Sequence, residues 1–138
     1  MRYLGLDLGT KTLGVAVSDI TGTIATSLTI LRHDNNHNYL IEELKKIISE
    51  KNVETIVLGL PKNMNNTIGE RGEMVLSFKE KLEKSINLPI ILEDERLTTI
   101  IVDRAMITGN VRRKDRKDKK DEMAAVVILQ KYLDKKGF

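Results

Sequence analysis

The sequence predicts an α/β fold with a mixed five-stranded sheet, in which three antiparallel strands precede parallel αβ units and helices flank the sheet. The N-terminal quarter contains three apolar segments separated by turn residues, which is the pattern of a meander. Two amphipathic helical segments then alternate with two apolar segments, and this alternation adds parallel strands to a sheet. The 138 residues can build one hydrophobic core, so we expect a single domain over residues 1–138.

Apolar periodicity and turn residues set the expected boundaries of the elements. Arg2–Gly9 and Leu13–Asp19 are predicted as strands joined by a turn rich in glycine and threonine, and Ile24–Leu31 as a third strand. The later elements are a helix over Asn38–Lys51, a buried strand over Val53–Leu58, an irregular loop over Gly59–Gly69, a helix over Glu73–Ile86, a strand over Leu88–Leu92, a short helix over Thr99–Thr108, a charged run over Val111–Lys120 and a helix over Asp121–Lys135.

The first strand carries a carboxylate among apolar residues. Because strand side chains alternate, its leucines share one face, while Tyr3, Gly5, Asp7 and Gly9 share the other. A charge in such a strand must be satisfied, and the two glycines leave room for a backbone or a phosphate to approach. The alternative is that Asp7 bonds to its own turn.

Composition excludes several kinds of site. Cysteine is absent, which rules out disulfides, thiolate metal sites and cysteine nucleophiles. The only histidines, His33 and His37, lie in a polar connection, which argues against a histidine zinc site or a Ser-His-Asp triad. No apolar segment is long enough to cross a membrane, so we expect a cytoplasmic protein with no membrane partner. The net charge of +3 is a mild indication of a polyanionic partner.

Acidic residues follow the ends of the predicted strands, where sheets of this kind bind ligands. Asp7 and the cluster Glu93-Asp94-Glu95 come from loops that should meet at one edge of the sheet. Adjacent carboxylates repel unless a cation or Arg96 compensates, and alternation lets only one of Asp94 and Glu95 face a given point. An ordinary solvated turn is the alternative for the cluster.

A third acid, Asp121, precedes an apolar helical pattern and falls on its apolar face. An aspartate in this position is also a good N-cap, which is the alternative. The small residues Ala124 and Ala125 would let this helix dock closely and bring Asp121 near Asp7. Three carboxylates that converge without histidine or cysteine suit Mg²⁺ or Mn²⁺, and two such ions can hydrolyse a phosphodiester.

The run Arg112–Lys120 holds seven basic residues in nine and contains no apolar residue. We expect a mobile loop whose charges neutralise phosphates beside Asp121. A solvated connector is the alternative. The run has no aromatic residue, so base stacking is not indicated.

Four segments of the chain resemble the motifs of the YqgF family, also called RuvX. They are Leu6–Asp19, Val57–Met64, Asp94–Thr99 and Asp121–Gln130, and together they extend over essentially the whole chain. The resemblance implies a ribonuclease H-like fold and a nuclease, acting as a Holliday junction resolvase or in the 5′ maturation of pre-16S rRNA. One departure is Lys11-Thr12, where the family often has Lys-Arg.

The resemblance also implies roles for individual residues. Asp7, Glu95 and Asp121 would be the catalytic, metal-binding carboxylates, which selects Glu95 over Asp94. We therefore expect a nuclease with two Mg²⁺ or Mn²⁺ ions that acts on precursor rRNA or branched DNA. A symmetric resolvase would be a homodimer, whereas RNA trimming needs no dimer. The residues expected to hold nucleic acid are Lys11, Asn63, Arg96, Thr98, Thr99, Arg112, Arg113 and Lys114.

Two other functions fit parts of the sequence. A non-catalytic RNA-binding or assembly factor would bind nucleic acid without cleaving it in Mg²⁺ or Mn²⁺. The segment Asp7–Thr10, followed by a strand, also resembles the phosphate-binding hairpin of actin-like sugar kinases and chaperone ATPases. Those proteins enclose ATP with a second, duplicated domain, for which we expect no room in 138 residues.

Overall fold

The structure, a computed structural model, describes residues 2–61, 68–95 and 116–136, with side chains in the last segment described from residue 123 onward. Within these residues the chain forms five strands and three helices. The strands are β1 (Arg2–Leu8), β2 (Thr12–Ser18), β3 (Ala25–Arg32), β4 (Val53–Leu60) and β5 (Ile90–Asp94), and the helices are α1 (His37–Lys51), α2 (Glu70–Ser85) and α3 (Arg116–Lys136).

The five strands form one mixed sheet in the order β3-β2-β1-β4-β5. The first three strands pair antiparallel, β2 with β1 and β3 with β2. Strand β4 pairs in parallel with β1, and β5 pairs in parallel with β4. The predicted α/β sheet is therefore confirmed. Because β1, β4 and β5 run in the same direction, their carboxyl ends lie at the same edge. No helix in the described parts of the chain is long and apolar enough to traverse a bilayer.

The two faces of the sheet are covered by different helices. Leu4, Leu6 and Leu8 of β1 pack with residues of α1 and α2, including Phe78, in the larger core. The opposite face packs against α3 in a smaller core of alanines, valine, isoleucine and leucines. The alternation expected for β1 is confirmed, since its leucines lie on one face and Gly5 lies against α3 on the other.

Gly5 allows the backbone of α3 to approach the sheet. A Cβ atom at this position would lie 2.6 Å from the Cβ of Leu129 and 3.0 Å from the carbonyl oxygen of Ala125. Contacts this short could be relieved only by moving the helix. The close docking expected through Ala125 is confirmed, and a helix rather than a phosphate occupies the space beside Gly5.

The end of β4 and both ends of β5 differ from the prediction by two residues, more than any other strand boundary. β4 continues to Leu60, beyond its expected end at Leu58, because its last residues pair with β5. β5 begins at Ile90 instead of Leu88, since Pro89 has no N–H group to contribute to the ladder. Tertiary pairing thus overrides the loop composition of the segment that follows Leu58.

The helix α2 begins at Glu70, earlier than the expected Glu73. Gly69 is the N-cap residue, and both glutamates lie in the first turn. Negative side chains in that turn interact favourably with the helix dipole, which explains the extension.

The prediction of a mobile loop is wrong for residues 116–120, which are helical because α3 begins at Arg116. Lysine and arginine are good helix formers, so this segment can continue the apolar helix that follows. Asp121 consequently lies inside α3, and its interpretation as an N-cap is wrong. The predicted helix Thr99–Thr108 and residues 111–115 lie outside the described residues.

Candidate active site

Asp7 and Glu95 meet at the carboxyl edge of the sheet. Asp7 is the penultimate residue of β1, and Glu95 follows β5 directly, where its N–H group donates to the carbonyl of Leu60 at 3.2 Å. The two carboxyl groups lie within hydrogen-bonding reach of each other. The structure therefore brings together two of the three acids that the resemblance implies.

Strand alternation decides which acid of the cluster approaches Asp7. Ile90 and Leu92 of β5 pack into the core formed with α1 and α2. By alternation Asp94 follows them onto that face, and Glu95 takes the α3 face, which Asp7 shares. Geometry thus makes the choice that spacing left open.

The Glu95 carboxyl lies in an environment that disfavours its charge. Burial, together with the negative charge and hydrogen bond of Asp7, raises its pKa to about 8, against the opposing effect of the Arg71 guanidinium. Its Oε2 atom is buried and has no hydrogen-bond partner among the described residues. Two ionised carboxylates offer only acceptors, so their contact requires a shared proton or a cation.

Gly59 makes room for this carboxylate. A Cβ atom at position 59 would collide with Oε2 of Glu95 and would lie 2.5 Å from Cδ1 of Ile128 in α3. A side chain here would displace the acid or the helix. Sequence analysis assigned Gly59 to a loop, and the available signal was a glycine at the end of an apolar strand.

Arg71 is a site residue that the sequence analysis missed. It lies in the first turn of α2, and its Nη2 donates to the carbonyl of Leu8 at 3.4 Å and lies 4.0 Å from Oε1 of Glu95. No motif or periodicity pointed to it, because an exposed arginine at a helix start is common on protein surfaces.

His33 supports the turn that follows β1. It is buried, although its polar neighbours predict an exposed connection. Its Nδ1 accepts from the N–H group of Asn35 at 3.0 Å, so Nε2 carries the proton and donates to the carbonyl of Gly9 at 3.1 Å. His33 thereby positions the turn between β1 and β2.

Glu93, the first acid of the cluster, joins β5 to α3. Its buried carboxylate lies 2.6 Å from Nζ of Lys135 and 4.0 Å from Nζ of Lys131. Lys131 also donates to the carbonyl of Asp94 at 2.9 Å. These contacts hold the helix that carries Asp121 against the strand that leads to the site.

The remaining predicted site residues are placed only in part. Lys11 is exposed in the β1–β2 turn, and its carbonyl accepts from the N–H group of His33. The backbone of Asp121 lies in α3, but its side chain is outside the described residues. Among the described residues, no group of three acids or histidines is arranged to bind a metal ion. The other expected nucleic-acid contacts lie outside the described residues: Asn63, Arg96, Thr98, Thr99, Arg112, Arg113 and Lys114.

Known structures resemble this fold. RuvC from T. thermophilus, in complex with a Holliday junction substrate, matches with a TM-score of 0.62 and 11% identity over 99% of this chain and 96% of that one. The fowlpox virus Holliday junction resolvase matches with a TM-score of 0.56 and 15% identity over 98% and 99%. A ROK hexokinase from Thermus thermophilus shares the core with a TM-score of 0.50 and 21% identity, but only 38% of that chain is covered. These likenesses confirm the ribonuclease H-like fold.

Sequence relatives define the family. A protein from Geobacillus sp. (strain WCH70) is 54% identical over 137 residues, 99% of both chains. One from Thermoanaerobacter pseudethanolicus is 49% identical over 135 residues, 97% of this chain and 96% of the relative. Both carry the name "Putative pre-16S rRNA nuclease". A family model described as RuvX, Holliday junction resolvase, matches residues 1–135, and this chain therefore belongs to the RuvX family.

Proposed function

We propose that this chain is a divalent-cation-dependent nuclease that hydrolyses phosphodiester bonds of structured nucleic acid. Its substrate is precursor 16S rRNA, processed at the 5′ end in the cytoplasm. The observation that carries the proposal is the buried contact between Asp7 and Glu95 at the carboxyl edge of the sheet. The name shared by relatives at about half identity supports the RNA substrate.

The acid pair suits a hard divalent cation. Glu95 offers a buried oxygen that lacks a donor among the described residues, and both its burial and the charge of Asp7 raise its pKa. Oxygen-only ligands are those that Mg²⁺ and Mn²⁺ prefer. A bound divalent cation, or a pair of them, would activate water and offset charge on the leaving oxygen.

The path of α3 supports Asp121 as the third carboxylate. The ring of Tyr132 in α3 lies 5.9 Å from that of Tyr3, near the start of β1. Ala125, earlier in α3, lies beside Gly5, which is farther along β1. The helix therefore runs along β1 in the opposite direction. One turn before Ala125, about 6 Å along the helix axis, the backbone of Asp121 approaches the level of Asp7.

Four-way DNA junctions are the second candidate substrate. The family description and the RuvC-like fold favour them. A resolvase that cuts two strands symmetrically would work as a homodimer. For either substrate, we propose that phosphates are held by the exposed Lys11 and by residues outside the described set, namely Asn63, Arg96, Thr98, Thr99, Arg112, Arg113 and Lys114.

The test replaces one acid and supplies both substrates. We expect Asp7→Asn to lower cleavage in Mg²⁺ or Mn²⁺ by at least about 100-fold, the upper end of what loss of an outer-shell metal contact costs. Glu80→Gln, an exposed acid of α2, is the matched control and should leave cleavage unchanged. Gel assays with a labelled 16S precursor fragment and a synthetic four-way junction measure the rates.

Each outcome of this assay is informative. Undiminished cleavage by Asp7→Asn would remove Asp7 from the mechanism. Wild-type protein that binds either substrate but cleaves neither in Mg²⁺ or Mn²⁺ would contradict the nuclease proposal and favour a non-catalytic assembly factor. The substrate that is cut faster identifies which candidate is correct.

A further inference from the structure

We propose that Arg71 is a substrate-binding residue whose guanidinium holds a phosphate oxygen of the nucleic acid beside the Asp7–Glu95 pair. This inference rests on the proposed nuclease function and adds a residue that no sequence motif of the chain indicated. It also predicts that substrate approaches the acids across the first turn of α2, where Arg71 lies.

Arg71 lies between solvent and the buried acids. Its side chain is 53% exposed, whereas that of Glu95 is 11% exposed. The guanidinium is held at the end of β1 by its hydrogen bond to the carbonyl of Leu8. A ligand that reaches Glu95 from this side would therefore meet Arg71.

The contact between Arg71 and Glu95 is not a closed ion pair. The distance of 4.0 Å from Nη2 to Oε1 is too long for a hydrogen bond and lacks the paired contacts of a bidentate arginine–carboxylate bridge. An arginine committed to neutralising this acid would approach it more closely. The planar guanidinium, with five N–H donors, can thus bind an oxyanion from solvent.

The negative charge around the acid pair explains why a positively charged Arg71 would assist phosphate binding. The negative charges of Asp7 and Asp94 both act on the Glu95 carboxyl, beside which the phosphodiester would be held. A phosphate would be repelled there without nearby positive charge. A cation in the first turn of a helix is also disfavoured by the helix dipole, so helix stability alone does not account for arginine at this position.

The experiment separates binding of phosphate from structural support. Arg71→Met keeps the aliphatic stem and removes the charge, while Arg71→Lys restores a charge without the planar fork. The matched control is Lys79→Met on the same helix. The Nζ atom of Lys79 lies 3.1 Å from Oε1 of Glu83, so this lysine pairs with an acid of its own helix. Affinity for the labelled 16S precursor fragment is measured by fluorescence anisotropy without divalent cations and at several salt concentrations, alongside KM, kcat and urea unfolding.

We expect Arg71→Met to weaken affinity and raise KM about tenfold, with a salt slope reduced by about one. Arg71→Lys should restore part of the affinity, and Lys79→Met should match the wild type. Unchanged affinity and salt slope in Arg71→Met would overturn the inference, as would an effect limited to unfolding or to the pH profile of cleavage. If the wild type does not cleave, the nuclease proposal fails on its own, and the affinity measurement still decides whether Arg71 binds phosphate.

Discussion

The two faces of the sheet have different roles in this molecule. On the face covered by α1 and α2, β1 contributes leucines that pack with Phe78 in the larger core. On the face covered by α3, the sheet contributes Gly5 and Gly59, whose missing side chains admit a helix backbone and a carboxylate. The first face stabilises the fold by burying apolar side chains. On the second face, two glycines leave room for acids next to a helix.

One face of the sheet therefore contributes mainly to the stability of the fold, and the other carries the candidate catalytic acids. Burial of apolar surface stabilises the fold in proportion to the area removed from water. A carboxylate buried beside a second acid has the opposite effect, and its burial together with the charge of Asp7 raises the pKa of Glu95. Variants on the two faces should therefore differ in which property they change.

The largest effect on stability is expected from Leu6→Ala. This fully buried leucine lies in the larger core, so its truncation should lower the free energy of unfolding by about 2–5 kcal/mol. Urea unfolding followed by circular dichroism measures the change. The control is Ile24→Ala, because Ile24 is exposed and should cost less than about 0.5 kcal/mol. Equal losses for the two variants would contradict the assignment of this face as the main source of stability.

A smaller loss of stability with a larger loss of activity is expected from Gly59→Ala. The added methyl group meets Glu95 and Ile128, so overpacking should cost about 1–3 kcal/mol and should move the carboxylate. Cleavage per folded molecule should fall together with metal affinity. Gly9→Ala is the stability control, because among the described residues its Cβ would meet only Thr12, at 3.4 Å or more. Full activity in Gly59→Ala would show that the position of Glu95 does not matter.

The smallest expected effect is a gain in stability for Glu95→Gln. The folded protein raises the pKa of Glu95 from 4.5 to about 8. Stability from the protonated form is therefore complete below pH 4.5 and decreases as pH rises through about 8. In metal-free buffer at pH 8, Glu95→Gln should be more stable than the wild type by on the order of 1 kcal/mol, because it removes a buried charge and the repulsion of that charge by Asp7.

Unfolding curves recorded between pH 5 and pH 8 measure this effect. The advantage of Glu95→Gln should shrink toward pH 5, where the wild-type acid is protonated. An advantage that does not depend on pH would assign the gain to packing instead of charge.

Sequence reasoning reached the larger features of the fold because they repeat along the chain. Apolar alternation in β1 and helical spacing in α1 are local patterns that do not depend on distant residues. The combination of antiparallel and parallel strands followed from connection rules. The errors came at Leu60, Ile90 and Arg116, where pairing with a neighbouring strand or continuation of a helix overrides the local composition.

The acids and their shared edge of the sheet were identifiable from sequence, but the residues that surround them were not. Asp7 and the acidic cluster could be recognised as candidates because charges at the ends of apolar strands need a reason. The contributions of Arg71, Gly59 and His33 required the structure, since each acts through a residue distant in the chain.

By itself, the sequence determined the α/β class, the mixed five-stranded sheet and the candidate acids, because periodicity and chain connection depend on local residues. The tertiary structure explained why Glu95 rather than Asp94 faces Asp7, a choice that the family resemblance had implied, and it alone decided that Arg71 stands between this pair and solvent. The reason is that side-chain direction at a sheet edge depends on the register between strands, and this register is set by packing across the whole sheet.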